Sequence, residues 1–178
     1  MFTNMADRND VVNNIDESLV LVLNNEKISD LNLHDLIHRI ESQSESLSLK
    51  VLYFDFIVGD LEVMNKIFER LGQIHTNSKL HDSRRSTPIS LFLAGAYLEE
   101  QISICALNGL AIGYDVYLLN DATIPRDSTH RETFLGRLTQ AGVVMLTVPQ
   151  MLYQWLVVET DQNRINTLRK LLDYSNSN

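Results

Sequence analysis

Residues 91–122 run LFLAGAYLEEQISICALNGLAIGYDVYLLNDA, and the order of apolar periods along them decides the fold. Leu91 to Ala94 is an apolar run too short for a helix and closed by Gly95, the pattern of a strand buried on both faces. From Leu98 to Ile112 the residues Leu98, Ile102, Cys105, Ala106, Leu110 and Ala111 recur at three- and four-residue steps, which predicts an amphipathic helix entered through Glu99 and Glu100. Gly113 stops that helix, and Tyr114–Leu119 is a second strand. Strand, helix and strand in this order make a right-handed crossover of a parallel sheet. Ligands in such sheets sit beyond the carboxyl ends of the strands. The candidate pocket is therefore Gly95, Ala96, Tyr97 and Leu98, with Gln101 in the first helical turn.

Outward from this unit the chain alternates in the same way. Upstream, Ser18–Leu23 (SLVLVL) is a β-rich run, and Leu49–Val58 is a second, interrupted by Asp55, which is expected as a strand-end carboxylate capping a neighbouring loop rather than as a catalytic group. Between them Leu33, Leu36, Ile37 and Ile40 mark a helix over Leu31–Ser44, with Asp30 or Asn32 able to cap it. His34 and His38 share a face there, a spacing that suits a metal, but no HExxH pattern or matching carboxylate accompanies them. Leu61–Ile74 has a helical apolar face, and residues 75–88 are polar and turn-rich. Lys79–Arg85 could form a short helix whose polar face would carry His81, Asp82, Arg84 and Arg85; the arginine pair suits an anion or an ordinary surface. Downstream, Ser128 is the expected cap of a helix that turns Phe134, Leu135 and Leu138 to the core. Val143–Val148 is the last strand, and Pro149 is expected to open the Met151–Val158 helix at its first position. Tyr153, Trp155, Leu156 and Val157 are too apolar for one exposed helix, so this region either packs under Ile165–Leu172 or meets another subunit.

The stretch G-A-Y-L-E-E-Q-I from Gly95, followed by A-L-N-G-L-A-I-G-Y-D-V-Y-L-L-N-D-A from Ala106, resembles the signature of the isochorismatase-like cysteine hydrolases. The resemblance takes in His130 and the run A-G-V-V-M-L-T from Ala141, and spans roughly Ser18 to Leu172. It implies a doubly wound, three-layer α/β fold with a parallel five- or six-stranded sheet in the order 3-2-1-4-5-6, the third strand being short or absent. It also implies where hydrolytic chemistry would reside: a cysteine in the first turn of the central helix, an aspartate ending the first strand and a lysine ending the third. In this chain those places are Gln101, Leu23 and unassigned, since Lys66 and Lys79 fall in helical or loop text. An amide is no nucleophile and a leucine carries no proton, so the resemblance points to a non-catalytic protein acting through binding, regulation or assembly. A hydrolase on this scaffold would have to recruit Glu26, Asp55, Glu100, His81 or Cys105. Cys105 lies one turn beyond Gln101, about 6 Å along the helix axis, where a buried structural thiol is expected. Similar family members associate with copies of themselves, so a homo-oligomer, with a further protein partner as an option, is the expected assembly.

The chain has 178 residues, of which 44% are hydrophobic, enough for one domain with a full core. The expected division is an N-terminal arm over residues 1–17, rich in Asn and Asp, and an α/β domain over residues 18–178. A net charge of −8 opposes nonspecific binding to nucleic acid or to anionic membranes. The first residues lack the basic flank and apolar centre of a signal peptide, so the expected location is the cytoplasm. A single cysteine allows no internal disulfide and no cysteine-based zinc site, and no motif calls for a cofactor.

Overall fold

A computed structural model describes residues 14–25, 32–57, 59–81 and 90–176. Five parallel strands form one sheet: β1 (Ser18–Asn24), β2 (Lys50–Asp55), β3 (Ser90–Ala96), β4 (Asp115–Ile124) and β5 (Val144–Leu146), in the order β2-β1-β3-β4-β5. This is the expected order with the third strand left out. Among the described residues β2 is thus an edge, and its Val51 to Phe54 are only half-buried.

The period-2 alternation of the strands builds two cores. Leu19, Leu21 and Leu23 of β1, Leu91 and Leu93 of β3, and Val116 and Leu118 of β4 face one side. Against them pack α3 (Leu61–His81), α4 (Ser103–Ile112) and α5 (Arg131–Ala141) through Ile67, Leu71, Cys105, Ala106, Leu135 and Leu138. Val20, Val22, Phe92, Ala94 and Leu119 face the other side. There they meet α1 (Asn32–Ser42), the short α2 (Ser44–Leu47), α6 (Val148–Val158) and α7 (Gln162–Asn176). Three helices follow strands that step one way across the sheet and lie on one face, as right-handed crossovers require. Ile15, in a short 3₁₀ turn over Ile15–Glu17, is already buried in the second core.

Several boundaries differ from those the sequence suggests. The helix expected to stop at Ile74 continues to His81, because His75 turns inward against the Tyr114 ring, 4.9 Å between centroids, beneath Gly113. β4 runs past Leu119 to Ile124, with a bulge where Leu93 pairs with Leu118 but Gly95 pairs with Thr123. The last strand holds only three residues because Thr147 caps α6 in a reciprocal capping box with Gln150, which makes Val148 the first helical residue and Pro149 the second. Asp127, and not Ser128, caps the short 3₁₀ turn Ser128–His130 that precedes α5, its carboxylate accepting from the Thr129 amide. Trp155 is fully buried against Phe92 and donates through Nε1 to Ser18 Oγ at 3.1 Å, so this part of the apolar region packs inside the chain.

Candidate functional site

The carboxyl-end rim of the sheet is shaped by one glycine. Gly95 has φ +109°, and a Cβ there would lie 1.9 Å from the carbonyl oxygen of Leu23, its partner across the β1–β3 ladder. Only a residue without a side chain lets the two backbones approach this closely. After Gly95 and Ala96, joined to Tyr97 by a cis peptide bond, the chain enters a π-helical turn over Leu98–Ile102 before α4 begins. Leu98 and Ile102 enter the first core, together with Leu23. Tyr97 is half-buried, and Gln101, 8% exposed, turns its Oε1 back to accept from the Tyr97 amide at a long 3.5 Å.

The positions that the family resemblance singled out therefore come together at this rim, but with other chemistry. Leu23 is fully buried among leucines and isoleucines. Gln101 supplies an amide that serves its own turn. Cys105 is fully buried one turn further on, and burial pushes its thiol up to about 12, so it holds no thiolate at neutral pH. Asp55 ends β2 exposed, 2.6 Å from the Asn24 amide group that donates to it, where a strand-end carboxylate was expected. Lys66 is an exposed partner of Glu62 on α3, and His130 is exposed near Asp127. Glu26, Arg84 and Arg85, and the side chains of His34, Lys79 and His81, lie outside the described residues.

Glu99 and Glu100 do more than complement a helix start. The Glu99 carboxylate accepts from the backbone amides of Arg126 at 2.8 Å and Asp127 at 3.1 Å. Glu100 holds the Arg126 guanidinium through Nε at 2.7 Å and a terminal nitrogen at 3.1 Å, while that guanidinium lies 4.8 Å above the Tyr97 ring. The segment after β4 is thereby drawn onto the turn after β3. No sequence period links residues 27 positions apart, so nothing in the text of the chain announces this contact. The far end of the segment is fixed by Arg131, whose guanidinium donates to the Thr123 carbonyl at 3.0 Å and to the backbone and side-chain oxygens of Asn120.

Among the described residues, no group of three or more His, Cys, Asp and Glu side chains is placed to hold a metal ion, and no helix is long and apolar enough to cross a membrane.

No protein-family model matches the sequence, and no curated protein matches it. The fold, by contrast, has solved relatives. The MAR1 ribonuclease from Caenorhabditis elegans superposes with a TM-score of 0.63 at 14% identity, over 89% of this chain and 91% of that one. YcaC from Pseudomonas aeruginosa, solved with hexane-2,5-diol and covalent acrylamide, gives 0.57 at 14% identity over 92% and 94%. The Escherichia coli YcaC protein, an octameric hydrolase of unknown specificity, gives 0.55 at 13% identity over 94% and 97%. With its all-parallel five-stranded sheet in the order β2-β1-β3-β4-β5 and helices on both faces, the chain has the isochorismatase-like α/β fold.

Proposed function

We propose that this chain is a non-catalytic protein of the isochorismatase-like fold, acting through binding, regulation or assembly and self-associating as it does so. The observation that carries the reading is the chemistry at the rim: a fully buried leucine stands where the resemblance calls for a proton-exchanging aspartate, and a buried glutamine where it calls for a thiolate. Covalent catalysis needs a nucleophile and a base within hydrogen-bond reach of it, and neither side chain can take either part. The remaining described candidates do not supply the pair, since Cys105 is sealed in the core, Asp55 is bound to Asn24 and Glu100 to Arg126. Self-association is supported by the octameric state of the E. coli YcaC protein.

The test is a turnover assay of the purified chain with nicotinamide, isochorismate and a single-stranded RNA, alongside its mass in solution. No product above a buffer blank is expected. Turnover that disappears in Gln101→Ala or Glu100→Gln, in protein that remains folded, would replace the reading with a hydrolase using a substitute set of residues.

A further inference from the structure

We infer that residues 125–130 form a strap latched over the turn after β3 by charge alone, and that releasing the latch uncovers the rim at Gln101. This goes beyond the proposed function, because it concerns how the rim is reached and not what happens there. The strap belongs to neither apolar core: Pro125 at its start is half-buried, and Arg126, Asp127, Ser128, Thr129 and His130 are all exposed. Its two ends, by contrast, are fixed. Thr123 is buried before it, with its hydroxyl donating to the Leu119 carbonyl, and Arg131 after it is tied to Thr123 and Asn120. Asp127 also accepts from the Thr129 amide and hydroxyl at 2.9 and 2.7 Å, so the segment keeps its own turn and would move as a unit.

What holds the strap down is the Glu99 carboxylate on two of its amides, the paired bonds from Arg126 to Glu100, and the Arg126 guanidinium over Tyr97. Each contact has an ionised partner, and the Arg126–Glu100 pair is partly solvated, its side chains 48% and 34% exposed. A segment fastened with little apolar burial opens at a lower free energy than the sheet beneath it. Contacts of this kind also weaken as salt screens them. Directly under the guanidinium is Tyr97, whose amide is the one Gln101 accepts from.

The test places a thiol at the rim with Gln101→Cys and follows its alkylation by iodoacetamide, with and without Glu99→Ala and Glu100→Ala. The buried Cys105 serves as the internal control for opening of the whole fold. Labelling of the introduced thiol is expected to quicken by roughly tenfold or more in the latch variant, the factor implied by losing one charge-assisted bond. It is expected to quicken likewise in the intact latch at ~1 M sodium chloride, where the Debye length is about 3 Å. Equal rates, or Cys105 labelling in step with the introduced thiol, would overturn the inference. Hydrogen exchange in a chain that keeps Gln101 gives a second reading. The Arg126 and Asp127 amides should exchange faster in the Glu99→Ala and Glu100→Ala variant while β3 stays protected. Unchanged exchange there, or loss of protection in β3 as well, would equally overturn it.

Discussion

At Gly95 a single hydrogen atom does the work that a methyl group would undo. The residue combines a left-handed φ of +109° with a backbone contact that leaves a Cβ 1.9 Å from the Leu23 oxygen. Gly95→Ala would therefore meet two penalties, conformational strain and overpacking, for a combined loss of about 3 kcal/mol or more. Urea unfolding of the variant checks this, and an unchanged midpoint would contradict the contact. The other glycine closing an element near the same core, Gly113, also has a left-handed φ, +110°, and a Cβ there would lie 3.3 Å from the His75 ring, a looser contact, and with a side chain, than the backbone contact at Gly95. The first glycine is visible in the sequence as the stop after an apolar run. Its second role is not, because that depends on which strand lies beside it.

At the level of elements, the start of α6 is tied to the neighbouring strand by one side chain. Asp121, on β4, accepts from the Val148 amide at 2.9 and 3.1 Å with its two carboxyl oxygens, a carboxylate set against the positive end of a helix. Loss of water around that carboxyl nevertheless raises its pKa above the ordinary carboxylate value, with the bonds from backbone amides opposing the shift. The sign of the linkage follows. A carboxyl whose folded pKa is raised contributes stability when protonated and loses it as pH rises through the folded value. Relative to Asp121→Asn, the unaltered chain should thus gain stability as pH falls from neutral through the raised folded pKa towards about 4. Unfolding of the two proteins by urea across that range measures the difference, and parallel pH profiles would show that Asp121 contributes none of it. Element identity in 91–122 was legible because burial on one stripe or two faces writes a period into the sequence. The stretch from His75 to His81 was not, since its polar side chains hide a helix whose inward residue is itself a histidine resting on Tyr114. The rim was legible in part: the sequence puts Leu23 and Gly95 at strand ends and Tyr97 and Gln101 in the turn that follows, and the structure places them there. The hold of Glu99 and Glu100 on Arg126 was invisible, because it joins elements that only the sheet order brings together.

Across the whole molecule the sheet separates two apolar cores, and β1, the first of the described strands, lies between β2 and β3 with one face in each. The second core reaches from Ile15 to Leu171, and a bond from Trp155 to Ser18 ties its late helices to its first strand. Trp155→Phe keeps an aromatic ring against Phe92 but loses that donor, while Ser18 still donates to the Asn14 carbonyl, so the substitution should lower stability by about 1–3 kcal/mol through the smaller ring and the lost bond. Thermal or urea unfolding checks it, and a stability equal to that of the unaltered chain would mean the bond carries nothing. The same tie sets a timetable for synthesis. While the ribosome is still making the chain, β1 is complete long before α6 and α7 exist, so Val20, Val22 and Phe92 emerge with only α1 and α2 to cover that side. The nascent chain carries a half-covered apolar face until α6 and α7 are made, and any factor that shields such faces would find its opportunity in that interval.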